Sequence, residues 1–101
     1  KLHIETNRLI NIEPIAQMQN LTYLDIHGNK ITDISPIANL QKLEWLDVSS
    51  NRFSDVSSLL NMTNLKTLKI SGNSVSDADL ENLSNTLAGC AIETEEAAQN
   101  Q

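Results

Sequence analysis

Residues 24–31 read LDIHGNKI, and this frame of leucine, aliphatic residue, asparagine and apolar residue occurs four times along the chain. The other copies are LHIETNRL at residues 2–9, LDVSSNRF at 46–53 and LKISGNSV at 68–75. The asparagines recur at one constant spacing, at Asn7, Asn29, Asn51 and Asn73. Four copies in phase, without one insertion, predict a repeat architecture in which each copy is one supersecondary unit.

Apolar residues extend this frame into columns that run through all repeats. One repeat cannot bury its own apolar residues, so the repeats must stack to form a continuous core. The alternating pattern around each leucine predicts a short strand with one face inward, and successive strands must run in the same direction. Core columns are expected at Leu2/Leu24/Leu46/Leu68, Ile4/Ile26/Val48/Ile70 and Met18/Leu40/Met62.

The segments that return from one strand to the next are expected to differ in structure. Pro14 and Pro36 disfavour a regular helix in the early returns, so short extended or 3-10 turns are expected there. Asn11, Asp33 and Asp55 are expected to cap these turns. The fourth return, residues 76–87, carries leucines at i, i+3 and i+7 and predicts a helix that Ser76 or Asp77 caps.

A last strand is expected after this helix. Adding the repeat length to Leu68 and Ile70 gives Cys90 and Ile92, which predicts a strand at residues 89–93 with a buried Cys90. The asparagine is then replaced by Glu95, so the repeats end there. The predicted domain is residues 1–94, followed by a disordered polar tail at residues 95–101.

Composition excludes several classes of partner. The chain has 101 residues and a net charge of −6, which argues against nucleic acid and anionic membranes because both require a basic surface. No apolar run approaches the length of a membrane span, so membrane insertion is not expected. A single cysteine excludes an internal disulfide.

The columns that face away from the core carry the information about function. Tyr23 and Trp45, the only tyrosine and tryptophan, share one column on neighbouring strands. Amphipathic aromatics are common interface anchors, although these two could merely shield the sheet. Asp25 and Asp47 share the next column and could attract a basic group of a partner. The expected partner-binding residues are Tyr23, Trp45, Asp25, Asp47, His27 and Lys69.

Catalysis and metal binding are weaker interpretations of the same columns. Asp25 and Asp47 could form an acid/base pair or a metal site, but an open sheet excludes little water. The sequence has no glycine-rich phosphate loop and no cysteine–histidine cluster. No cofactor, no metal and no enzymatic activity are therefore expected.

Two turn phrases point to a family. Residues 31–37 read ITDISPI and residues 12–15 read IEPI. With the 22-residue period, these phrases resemble the internalin-type leucine-rich repeats of Gram-positive bacterial surface proteins. This resemblance implies an α/β solenoid with a parallel β-sheet on the concave face, mostly turns and 3-10 helices on the convex face, and one C-terminal helix with a last strand. The runner-up resemblance is to the 22-residue repeats of intracellular phosphatase regulatory subunits.

The resemblance also implies a function. Internalins are secreted or wall-attached and bind host receptor ectodomains through the concave face, so the expected function is recognition of a protein ligand. The alternatives are a structural spacer and a cytoplasmic phosphatase-regulatory protein. The chain is expected to be a piece of a longer protein, and its first strand has an open edge that predicts edge-to-edge self-association.

Overall fold

Five short parallel strands form one sheet in chain order. The computed structural model describes residues 1–3, 8 and 10–94. Within these residues the strands follow each other across the sheet in the order of the chain, which confirms the solenoid. They are β1 (Leu2–His3), β2 (Tyr23–Asp25), β3 (Trp45–Asp47), β4 (Thr67–Lys69) and β5 (Ala91–Glu93).

Short 3-10 helices make the first three returns. They span Glu13–Gln17, Ser35–Asn39 and Ser57–Leu59. Pro14 and Pro36 lie in the first turn of their helices. Backbone N–H groups there have no partner within the helix, so proline, which lacks this group, is tolerated. Asp33 Oδ1 accepts a hydrogen bond from Ser35 N, and Asp55 Oδ1 accepts one from Ser57 N, both at 2.9 Å. The predicted turn capping is therefore confirmed.

The core lies between the sheet and these returns. Leu24, Leu46 and Leu68, one from each of three consecutive strands, are fully buried. Ile37 and Phe53 close the core on the convex side with no exposed surface. Stacked repeats thus share one apolar core, as the columns predict. Met18 is an exception because it is 46% exposed, whereas Leu40 and Met62 in the same column are buried. Met18 lies in the first coil, which has a described neighbour on one side only.

The asparagine ladder joins each repeat to the one before it. Asn51 Nδ2 donates to Val48 O in its own repeat at 3.0 Å and to Ile26 O in the preceding repeat at 3.1 Å. Its Oδ1 accepts from Ile31 N at 3.2 Å. Asn51 therefore satisfies buried backbone groups that no strand or helix can satisfy. Asn7, the first member of the ladder, lies outside the described residues.

The residue before each of the three described ladder asparagines, Asn29, Asn51 and Asn73, has a left-handed backbone conformation. Gly28 and Gly72 have φ of 74° and 72°, and Ser50 occupies the equivalent position with φ of 56°. Glycine adopts this conformation without steric cost, whereas serine does not. Ser50 is therefore a strained position in the third repeat.

The fourth return is a helix, α1 (Asp77–Thr86), as predicted. The side chain of Ser76 caps it by accepting a hydrogen bond from Asp79 N at 3.2 Å. Leu83 on the helix and Leu87 directly after it are buried in the core. Leu80 packs against the same core with partial exposure.

The last strand exists, but its predicted register is wrong by two residues. Leu68 pairs with Ile92, not with Cys90, so the last repeat is two residues longer than the others. The helix takes up more chain than a 3-10 turn does, and an even shift keeps the alternation of faces. Cys90 consequently lies before β5 and is half-buried rather than buried. This partial burial raises the pKa of its thiol.

Some expectations concern residues that the structure does not describe. They are the polar tail at residues 95–101 and the core positions Ile4 and Leu9. In the described part of the chain, no helix has the length and apolar character needed to cross a membrane.

Candidate functional site

The centre of the concave face is an aromatic stack between two neighbouring strands. Tyr23 of β2 and Trp45 of β3 are directly paired in the sheet. Their ring centroids are 4.1 Å apart and the ring planes differ by 5°. Parallel strands in register place the two Cβ atoms side by side, and the flat rings fill the remaining gap. Both side chains are half-buried.

Cations cover the outer faces of this stack. The Nζ atom of Lys69 lies 5.5 Å from the Trp45 ring centroid, on the β4 side. The Nζ atom of Lys1 lies 4.9 Å from the Tyr23 ring centroid, on the β1 side. Both distances suit cation–π attraction. Because each ring has one face against the other ring and one face under a lysine, the stack presents its ring edges to a partner.

The two carboxylates beside the stack are held by their own chain. Asp25 and Asp47 are directly paired across β2 and β3, and each is only 8% exposed. Asp47 Oδ1 accepts hydrogen bonds from Ser49 Oγ at 2.6 Å and from Ser49 N at 3.0 Å. The sequence columns indicated open carboxylates, whereas the structure places them under the concave surface.

His27 lies between these carboxylates. Its Nδ1 atom is 2.6 Å from Asp25 Oδ1 and 3.6 Å from Asp47 Oδ2. His3 approaches from β1, with Nδ1 3.8 Å from Asp25 Oδ2. The imidazole of His3 also lies against Tyr23, with ring centroids 5.1 Å apart. The aromatic stack and the acidic pair are therefore parts of one continuous surface.

The structure brings all six expected partner-binding residues together on β2, β3 and β4 or directly after them. Four of them are half-buried and accessible from the concave side: Tyr23, Trp45, His27 and Lys69. Sequence reasoning left Lys1 and His3 out of this set, although both contact it. The repeat length alone could have found them, since Lys1 precedes Tyr23 and His3 precedes Asp25 by one repeat.

Family comparison identifies the repeat type. The leucine-rich repeat model matches residues 1–53 and 20–75, and a second leucine-rich repeat model matches residues 64–87. Together these matches cover the whole sheet apart from β5. No curated protein matches the sequence.

Solved structures share the architecture. An internalin from Listeria monocytogenes (inlF) is 35% identical over 89% of this chain, with a TM-score of 0.79. Internalin C2 of the same organism is 33% identical over 93% of the chain, also with a TM-score of 0.79. A leucine-rich repeat protein of Leptospira interrogans, 23% identical over 91% of this chain and 30% of its own, shares the fold with a TM-score of 0.63. The chain spans 26% and 40% of the length of the two internalins.

Proposed function

The chain belongs to the leucine-rich repeat family and is similar to internalins. We therefore propose that it is a protein-recognition module of a bacterial secreted or surface protein. The leucine-rich repeat fold commonly mediates contacts between proteins. The proposed binding surface is the concave face, and its anchor is the stack of Tyr23 and Trp45. That stack is the observation on which the proposal depends.

Three properties of the stack support an anchor role. It is the largest aromatic feature of the described strands, and it spans the second and third of the five. Trp45 and Tyr23 combine an apolar body with a polar group, which is the usual character of interface hot spots. The rings are held in place by each other and by two lysines, so little conformational entropy remains to be lost on binding.

The arrangement also defines the kind of partner surface. Only ring edges are accessible, so a ligand that lies flat on an aromatic face, as a sugar ring does, has no free face to contact. An apolar side chain of a protein fits against ring edges. Asp25 and Asp47 lie under the surface and contribute negative potential beside the stack, which favours a basic group next to that apolar side chain.

No catalytic role is proposed. An acid/base pair requires groups that are free to exchange protons with a substrate, whereas Asp25 accepts a hydrogen bond from His27 N and Asp47 accepts one from Ser49 Oγ. The surface beside them is also open, since the side chain of His3 is 48% exposed, and it would not enclose a substrate.

The test compares two truncations of exposed apolar side chains. Candidate extracellular protein domains are captured with the parent chain, and binding kinetics are then measured with Trp45→Ala and with Met18→Ala. Met18 is exposed on the first return, away from the sheet. If Trp45 is a hot spot, its loss costs about 2 kcal/mol or more of binding, roughly 30-fold in Kd, while Met18→Ala changes Kd little. Equal affinity of the parent and Trp45→Ala would exclude the aromatic stack as the anchor and would place the binding surface elsewhere, such as on the convex turns. Failure to capture any domain would favour a spacer role.

A further inference from the structure

Three metal-binding side chains converge between β2 and β3. One ligand atom from each of Asp25, His27 and Asp47 lies within 4.8 Å of the other two. The shortest separation is 2.6 Å, between His27 Nδ1 and Asp25 Oδ1, and His27 Nδ1 to Asp47 Oδ2 is 3.6 Å. Two carboxylates and an imidazole thus point at one small region of the concave face.

Burial and charge make this region attractive to a cation. Direct pairing of Asp25 with Asp47 places two carboxylates side by side, on side chains that are only 12% and 11% exposed. Like charges at such separations repel, and poor access to water strengthens the repulsion. His27 Nδ1 and Asp25 Oδ1 are 2.6 Å apart and share a hydrogen bond. A metal ion could take the place of that hydrogen bond.

The remaining oxygen atoms are oriented suitably. Asp47 uses Oδ1 for Ser49, which leaves Oδ2 facing the imidazole of His27. The bonds from Ser49 hold this carboxylate in one orientation, as partners of metal-binding carboxylates generally do. His3 Nδ1 lies 3.8 Å from Asp25 Oδ2, the other oxygen of that carboxylate, and does not belong to the cluster of three.

We infer that Asp25, His27 and Asp47 bind a divalent transition-metal ion such as Zn²⁺. Ligand bonds of about 2.0–2.2 Å in a tetrahedron place the ligand atoms about 3.3–3.6 Å apart. The 3.6 Å separation already fits, whereas the 2.6 Å one must widen by about 0.7–1 Å when an ion replaces the hydrogen bond. Imidazole nitrogen favours Zn²⁺, Ni²⁺ or Cu²⁺ over Mg²⁺ and Ca²⁺, which prefer six or more oxygen ligands.

The sequence-based objection to a metal was that an open sheet leaves carboxylates in water. That objection does not apply to this arrangement, because the side chains of Asp25 and Asp47 are only 12% and 11% exposed. All of the ligands come from this chain, so metal binding can be tested without the proposed protein partner.

Zinc binding is measured by isothermal titration calorimetry with the untagged full chain carrying Cys90→Ser, which removes the one thiol. The expected result is one saturable site with release of a proton, seen as a dependence of the heat on the buffer. Trp45 supplies a second signal, because it lies two residues before Asp47 on the same face. Ni²⁺ or Cu²⁺ at the site should quench its fluorescence, and Zn²⁺ should compete with that quenching. Absence of a saturable site would overturn the inference.

Matched variants locate the site. His27→Gln keeps a hydrogen-bond donor for Asp25, and Asp47→Asn keeps the shape of the side chain. Each should weaken zinc binding by about tenfold or more, since even loss of a group that supports a ligand costs about 10–100-fold. Glu81→Gln on α1 removes the same charge as Asp47→Asn and should leave affinity unchanged. Parent-like affinity in the folded His27→Gln variant, or an equal loss in Glu81→Gln, would overturn the inference. Circular dichroism verifies folding, and either site variant alone suffices if the other does not fold.

Discussion

The indole ring of Trp45 lies flat against the phenol ring of Tyr23, with centroids 4.1 Å apart and the planes 5° from parallel. This contact joins two adjacent repeats on the face opposite the core. Because the two residues are paired in register, the contact follows directly from the constant repeat length. It therefore contributes to stability as well as to the proposed binding surface.

The stack should have a measurable coupling energy. In a double-mutant cycle with Tyr23→Ala and Trp45→Ala, the two rings should couple by about 0.5–1.5 kcal/mol, as aromatic pairs generally do. Urea denaturation of the parent, both single variants and the double variant gives this value. Strictly additive losses would mean that the rings do not contact each other in solution.

Asn51 should matter far more than an exposed asparagine that makes a similar bond. Asn51→Ala removes bonds to Ile26 O, Val48 O and Ile31 N in the buried ladder, and should cost about 2–3 kcal/mol of unfolding free energy. The matched control is Asn64→Ala. Asn64 donates to Gln41 O on the surface, and its loss should cost less than about 0.5 kcal/mol. Chemical denaturation compares them, and similar costs would contradict the structural role of the ladder.

Ser50→Gly should stabilise the chain. Ser50 has φ of 56°, a left-handed conformation that costs a non-glycine residue about 1–2 kcal/mol. Glycine removes this cost but adds freedom to the unfolded chain, so the net gain should be about 0.5–1 kcal/mol. The converse change, Gly72→Ala, should destabilise, because its Cβ would lie 3.2 Å from Ser50 N as well as at positive φ. Thermal unfolding measures both variants. Melting temperatures that shift in the same direction for Ser50→Gly and Gly72→Ala would contradict the prediction.

The register of the last strand can be tested through two neighbouring side chains. Ile92 occupies the column of Leu68 and is half-buried, so Ile92→Ala should cost about 1–2 kcal/mol. Cys90 lies outside that column, and Cys90→Ser should cost less than about 1 kcal/mol. If Cys90 filled the leucine position instead, serine would bury a hydroxyl group without a partner, and Cys90→Ser should then cost about 1–3 kcal/mol. Ile92→Ala should be costly in either register, because Ile92 would then fill the column of Ile70. Unfolding curves of the two variants decide between the registers.

Acid should weaken the 3-10 turns that aspartates cap. Backbone hydrogen bonds from Ser35 and Ser57 hold the pKa of Asp33 and Asp55 below its usual value of 3.8. A lowered folded-state pKa stabilises the fold above the unfolded pKa, and this contribution is lost as pH falls through the folded value. This stabilising contribution should therefore be lost below about pH 4.

Replacing both capping aspartates by asparagine should flatten this dependence. Asparagine keeps the acceptor oxygen without a titrating group, and Asn11 already caps Glu13 N in this way at 2.9 Å. Urea denaturation over a pH series compares Asp33→Asn/Asp55→Asn with the parent. If the unfolding free energies of the parent and the double variant fall equally as the pH is lowered, these carboxylates do not contribute to the acid sensitivity.

The repeat period alone determined the solenoid, the parallel order of the strands and the membership of the concave columns. This was possible because alternation in a strand decides which side chains face the core, and in-phase repeats decide which of them become neighbours. The repeat length places Tyr23 beside Trp45 and Asp25 beside Asp47. The proline-containing turns and the capped helix were also local enough to predict.

Only the tertiary structure decided three further features. The offset between Leu68 and Ile92 depends on how much chain α1 needs to return to the sheet, and the period of the earlier repeats does not contain that length. The orientation of the aromatic rings, with their edges outward, depends on where the lysine ammonium groups lie. The burial of Asp25 and Asp47 around His27 depends on how closely side chains crowd on a short sheet. Such distances arise between strands of successive repeats, so a pattern of residue types specifies the neighbours but not their separation or their access to water.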